Sequence, residues 1–263
     1  MKRYFILLLA LSAMAIASDN LTGKEIIDEV SSRHNADYEF ETQKMILIDK
    51  KGNEETRKLR RYSRKGKNDL FKYLLVFDKP KGVKGVALLT WQNKNKDDDQ
   101  WMYLPALSKI KRIAKGGNKN YFMGTDYAFE DLVSENKNKF RYEKQANKII
   151  DGNECYVIDV YPNTKQMKKA SGYKYRALYI RKDIFFTVQI DYFSKRGKYI
   201  KQQKLLELEK IKGQMYRAKI SIMDNLKEKH KTKIVIVKRK LNKKSVPAKF
   251  FKQRYIKSGR HIK

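Results

Sequence analysis

The stretch IFFTVQIDY, Ile184 to Tyr192, holds the clearest alternation in the chain. Ile184, Phe186, Val188, Ile190 and Tyr192 fall on one side of a two-residue repeat, and Thr187, Gln189 and Asp191 fall on the other. A period of two with one apolar side predicts a strand that buries one face. Arg196-Gly197 turns the chain, and the segment from Tyr199 to Lys210 returns as a partner strand. After a second turn at Gly213, Tyr216, Ala218, Ile220 and Ile222 alternate, and Ile234 to Val237 closes the series. Upstream, Tyr156, Ile158 and Val160 alternate with Val157, Asp159 and Tyr161. Successive hairpins with one apolar face each predict a large antiparallel sheet.

The first half of the chain continues the pattern. Thr22 and Glu25 have the spacing of a capping box, and Leu21 with Ile26 has that of a hydrophobic staple. A helix is expected there, with Ile26, Ile27 and Val30 on one face and an end near His34-Asn35. Tyr38, Phe40, Ile46 and Ile48 then alternate with Glu39, Glu41, Gln43 and Asp49. After Lys51-Gly52-Asn53, the mostly charged segment Glu54 to Arg64 reads as the returning strand. Leu70 to Phe77, Val86 to Trp91 and Trp101 to Leu104 follow as strands. Further helices are expected around Tyr127 to Ser134 and from Pro247 to Ile256. A sheet of about ten strands tends to curl. A barrel too wide for its own side chains to fill can hold a ligand. The expected fold is mainly β with α, a large curved antiparallel sheet forming an incomplete β-barrel over a few helices, in one domain spanning 18–263.

Composition narrows the function. The chain of 263 residues has 61 Lys and Arg against 29 Asp and Glu, a formal charge of +32. Such a charge attracts polyanions, whether nucleic acid, anionic lipid headgroups or acidic sugars. Lys2-Arg3, the apolar run from Tyr4 to Ile16 and the small-residue pattern Ala15-Ile16-Ala17 read as a cleavable signal peptide over residues 1–17. An exported protein rarely meets nucleic acid, so that partner is not expected. Cys155 stands alone, so an intrachain disulfide is impossible. His34, His230 and His261 belong to no metal-binding spacing, and Cys155 reads as a small buried residue. Gly116-Gly117 reads as a flexible loop and Asp97-Asp98-Asp99 as a hairpin tip. Glu130 and Asp131 are neighbours and make a poor acid–base pair. A non-enzymatic protein with no metal or cofactor is expected.

One longer stretch carries a family signature. WMYLPALSKIKRIAKGGNKNYFMGTDYAFEDL runs from Trp101 to Leu132. It holds W-x-Y-L-P-A-L, then Arg112-Ile113, then F-M-G-T-D at Phe122 to Asp126, then Glu130-Asp131-Leu132. With the tail from Val246 to Tyr255, this order resembles the outer-membrane lipoprotein-sorting protein family. That family is the broad group around the periplasmic LolA-like carriers, and it includes members associated with RND-type exporters. The resemblance implies an incomplete β-barrel around an apolar cavity, a periplasmic location and no catalysis. It also implies carriage or sensing of acyl chains from lipid or lipoprotein. Transient contact with a membrane surface or an inner-membrane transporter, and a monomeric state, are expected.

Trp91, Trp101, Tyr103, Phe122, Met123, Tyr127 and Phe129 are the candidates for the cavity lining. Rings cover wide apolar area, and a methionine adapts its shape. The same rings would serve equally well in a packed core. Lys109, Lys111, Arg112 and Lys115 are the candidates for a basic rim that meets anionic headgroups, at about 1 kcal/mol per residue near such a surface. A solvated loop is the alternative, with Arg112 pairing structurally to Asp126 or Asp131. The expected function is a periplasmic lipid or lipoprotein carrier. A lipid-sensing regulatory module of the same fold and an exported polyanion-binding protein are the alternatives.

Overall fold

Helix α1, Gly23–His34, opens the part of the chain that the computed structural model describes, residues 20–114 and 116–262. Residues 1–17, expected from the sequence to be a signal peptide, and Lys115 lie outside the described residues. The expected cap is present: the Glu25 amide donates to the Thr22 hydroxyl at 3.3 Å, and the Thr22 amide donates to the Glu25 carboxylate at 2.7 Å. Such a pair satisfies two otherwise orphaned donors at the helix start. Leu21, Ile26 and Ile27 pack into one cluster with Tyr156, Ile158 and Ile180. Each fully buried isoleucine is worth about 1.5–3 kcal/mol, so this face holds the helix on the sheet.

Among the described residues thirteen strands form a single sheet: β1 (Tyr38–Ile48), β2 (Glu54–Lys65), β3 (Phe71–Lys79), β4 (Ala87–Trp91), β5 (Asp99–Leu104), β6 (Lys109–Arg112), β7 (Phe140–Ile150), β8 (Asn153–Pro162), β9 (Tyr173–Arg181), β10 (Phe186–Ser194), β11 (Tyr199–Lys212), β12 (Met215–Asn225) and β13 (His230–Lys240). Their order is β6-β5-β4-β3-β2-β1-β13-β12-β11-β10-β9-β8-β7, with adjacent strands antiparallel. The chain therefore starts in mid-sheet and meanders out to the β6 edge. It then crosses to the β7 edge and meanders back until β13 pairs with β1. The sheet does not close, because β6 and β7 remain its two edges. This is the incomplete barrel the sequence predicts.

Two segments cover the sheet from inside. Helix α1 packs on the β7–β13 half, against Leu178, Ile180 and Phe185. The long connection from β6 to β7 covers the other half, with Phe122 and Phe129 set among Met45, Leu59, Leu75 and Phe77. The expected helix in this connection is a single 3-10 turn, Phe129–Leu132. Its backbone is held by tertiary hydrogen bonds and has no run long enough for an α-helix. A short helix α2, Lys165–Ala170, links β8 to β9. The C-terminal tail lies on the outer face of the sheet. It folds as 3-10 turns and a five-residue helix α3, Gln253–Lys257, in place of one continuous helix.

Candidate functional site

The connection between the edge strands is held by a buried polar clasp. Met123 and Gly124 adopt φ of 51 and 75°, a left-handed pair that glycine makes accessible at the second position. The turn aims Asp126 at β12 and β13. Its carboxylate accepts from Thr232 at 2.7 Å, from His230 Nδ1 at 2.7 Å and from Asn225 Nδ2 at 3.1 Å. The ammonium of Lys201, fully buried on β11, donates to the Asp126 carbonyl at 2.9 Å and to Asp131 at 2.6 Å. Asp131 also accepts from the Ala128 amide and from Tyr173. Glu130 reaches the other side and accepts from the Gly172 amide at 2.7 Å. Burial, reinforced by the neighbouring Asp131 charge, pushes the Glu130 carboxyl up to about 7. Among the residues of the family signature, Asp126, Glu130 and Asp131 thus bind the connection to the β7–β13 half of the sheet.

Between helix α1, this clasp and the inner face of the sheet lies a cavity of about 890 Å³. Its apolar part includes Met45, Leu75, Leu132, Ile190 and Ile234. Its other end is charged. Across β2, β1 and β13, Arg61, Glu41 and Arg239 stand opposite one another, and Arg217 of β12 joins them at the cavity wall. Arg239 donates to Glu41 at 2.8 Å, and Arg217 donates to Glu39 at 2.9 Å. Exposed Asn35, Asp37, Asn68, Asp69 and Asn138 border this charged end. His34 sits beside it. Its Nε2–H donates to the Ile184 and Phe185 carbonyls, and its Nδ1 accepts from the Tyr216 amide. That arrangement requires a neutral ring, and burial lowers its basicity accordingly.

The pleat sorts the aromatic candidates. Tyr127 lines the cavity, and its hydroxyl meets Ser221 at 2.8 Å. Phe122, Met123 and Phe129 fill the apolar core beside it. Trp91, Trp101 and Tyr103 are corrected to the opposite face. Gln100 points inward and donates to the Phe129 carbonyl at 3.2 Å, so Trp101 must point outward, and Tyr103 with it. These three rings lie under the C-terminal tail with Val246, Phe251 and Ile256. The Trp91 indole N–H donates to the Phe251 carbonyl at 2.9 Å.

The basic candidates fall elsewhere too. Lys109, Lys111 and Arg112 are exposed on β6, an edge strand, and are not part of the cavity wall. Arg112 pairs with Asp99, and not with Asp126 or Asp131. Lysines on an edge strand discourage pairing with other chains, which accounts for Lys109 and Lys111. The charged groups that do face the cavity, among them Glu41, Arg61, Arg176, Arg217 and Arg239, had one sequence signal. Glu39, Glu41 and Gln43 recur every second residue in β1, and the structure places all three on the buried side.

Cys155 is buried and its thiol is pushed up to about 11 by that burial, which suits packing and not nucleophilic attack. No group of three or more His, Cys, Asp or Glu among the described residues is arranged to hold a metal ion. Among them no helix is long and apolar enough to cross a membrane.

An open antiparallel barrel with a helix and a clasped connection around an inner cavity defines the LolA-like architecture. An outer membrane lipoprotein-sorting protein domain from Vibrio parahaemolyticus superposes with a TM-score of 0.84 at 26% identity, over 89% of this chain and 98% of that one. A DUF1329 family protein from Desulfovibrio piger gives 0.82 at 24% identity, over 89% and 97%. A LolA superfamily protein from Nitrosomonas europaea gives 0.71 at 18% identity, over 89% and 99%, a likeness of fold. Comparison with curated proteins finds no match. A family model described as "Uncharacterized protein" matches residues 69–258, and the chain belongs to that family.

Proposed function

We propose that this chain is an exported carrier that shelters the acyl chain of a lipid or lipoprotein in its inner cavity while the cargo crosses the periplasm. The observation that carries the reading is the cavity of about 890 Å³ with Met45, Leu75, Ile190 and Ile234 in its wall. Ligand sites commonly measure roughly 300–1,000 Å³. Each buried CH₂ contributes about 0.8 kcal/mol, so apolar wall area alone supplies affinity and no reactive group is needed. The likeness to the lipoprotein-sorting domain supports the same reading. Release follows from the open sheet: the cavity is closed by helix α1 and one connection, and either can move without breaking a barrel seam. Exchange of cargo with an inner-membrane transporter belongs to this proposal, and photocrosslinking in the producing cell tests it.

The carrier itself is tested by purifying the protein from a periplasm without detergent, extracting it with organic solvent and identifying lipid by mass spectrometry. An unrelated basic periplasmic protein serves as control. Near-stoichiometric lipid absent from the control is expected. A lipid-free protein that also fails to take up a fluorescent acyl probe would overturn the reading.

A further inference from the structure

Among the described residues, one arginine at the charged end of the cavity donates no hydrogen bond. Arg217 donates to Glu39 at 2.9 Å and to the His34 carbonyl at 2.7 Å. Arg239 donates to Glu41 and to the Ala218 carbonyl, and Arg176 donates to Glu135 at 2.7 Å. Lys65 pairs with Asp69 at 2.8 Å, and Lys137 pairs with Asp28. Arg61 differs from all of these. Among the described residues its guanidinium donates no hydrogen bond; it lies over the Tyr73 ring, 5.1 Å from the centroid, and its one ion-pair contact is Glu41 at 3.9 Å. That carboxylate is already engaged by Arg239 and by Gln43, the latter at 2.7 Å.

The other arginines of β2 show what a structural role looks like on this strand. Arg57 donates to the Met123 carbonyl at 2.6 Å, Arg60 to the His261 carbonyl at 2.9 Å and Arg64 to the Val246 carbonyl at 3.0 Å. Each ties a distant segment to the sheet, and Arg61 ties none. Its side chain is 23% exposed, and it faces both the large cavity and a smaller one of about 190 Å³ beside it. Its partner positions across the strands are Glu41 on β1 and Leu75 on β3, and Met45 lies four residues beyond Glu41 along β1, about 13 Å at the usual rise per residue. Arg61 therefore stands where the apolar wall begins, beside Leu75, with Met45 one short chain-length further on.

A guanidinium is a planar fork of donors that matches the oxygens of a carboxylate or a phosphate. We infer that the cavity takes an amphiphile with an anionic headgroup, its chain against Met45, Leu75 and Ile234 and its headgroup on Arg61. The inference rests on the carrier reading above and names the chemistry of the cargo. The carboxylate of a fatty acid and the phosphate of a phospholipid both fit the fork.

Competition titrations against a bound fluorescent acyl probe distinguish these cases, using palmitate, hexadecyl phosphate and hexadecanol on the protein without its leader. At least one anion is expected to bind about 10-fold or more tightly than hexadecanol, the scale of a charge-assisted hydrogen bond. Whichever anion wins identifies the headgroup class. The preference should collapse in Arg61→Gln and survive in part in Arg61→Lys, with the unfolding midpoint of each unchanged. Equal affinity for all three ligands on the unaltered protein would overturn the headgroup assignment while leaving the carrier intact. A preference that persists in Arg61→Gln would overturn it as well. Failure of every ligand to displace the probe would overturn the carrier reading itself, and this inference with it.

Discussion

Lys201 holds the family signature in place. Its ammonium is fully buried, bonded to Asp131 and the Asp126 carbonyl, and lies 4.7 to 5.3 Å from the rings of Tyr192, Tyr173 and Tyr121. Removing one partner of a buried ion pair strands the other charge at about 3–5 kcal/mol. Lys201→Met should lose that much in denaturant unfolding, and a loss under about 1 kcal/mol would mean that the clasp is not held by this charge. Glu130 adds a pH dependence. Its carboxyl sits at about 7 in the folded chain and 4.5 in the reference, so the fold binds its proton more tightly than the unfolded chain does. Stability from this group is full below about pH 4.5 and is lost as pH rises through 7. Glu130→Gln keeps an acceptor for Gly172 and removes the titration. It should match the unaltered protein near pH 4.5 and exceed it by roughly 1–3 kcal/mol at pH 8, read from unfolding curves at both values. Asp126 and Asp131 stood out in the sequence through their motif. Lys201 did not, being one of 61 basic residues and 70 positions from Asp131.

Strands were legible wherever one face met an apolar core and the other met water. They were obscure where that rule failed. In β1 the inward positions Glu39 and Glu41 meet arginines and Gln43 donates to Glu41, so alternation marked the strand but misassigned its buried side. In β10 a bulge between Thr187 and Gln189 breaks the two-residue repeat, and Val188 leaves the face that Ile190 occupies. Strand β7 escaped recognition because most of it is exposed. The aromatic rings of β4 and β5 were misplaced for a related reason: the tail covers the outer face, so both faces of those strands are apolar. This placement is testable, since Trp91 and Trp101 are the protein's two tryptophans. Acyl ligand entering the cavity should leave tryptophan emission unchanged, whereas loosening the tail should shift it to the red. Phe251→Ala, which empties a site 2% exposed, should cost about 3–5 kcal/mol and produce that shift. A blue shift on adding lipid would place the rings at the ligand.

The whole molecule is an unclosed sheet lined in one half by a helix and in the other by the connection between its own edges. That topology separates two tasks that a closed barrel would merge. The outer face of β3 to β6 is sealed by the tail and contributes stability. The inner face keeps a cavity whose wall grades from Met45 and Ile234 to Arg61 and Arg239. The net charge of +32 sits largely in solvent, with Lys109 and Lys111 guarding an open edge. Sequence composition indicated an affinity for anions but could not say where it is used. Register, which carries one arginine of β2 into the cavity and two of its neighbours to the tail, supplies the location. The central claim is that an acyl chain occupies the inner cavity. Photolabelling with a fatty acid bearing a diazirine on its chain, followed by peptide mass spectrometry, tests it most directly. Label on the segments holding Met45, Leu132 and Ile234 is the predicted result. Label concentrated on the Trp91 and Trp101 face, or none above a denatured control, would contradict it.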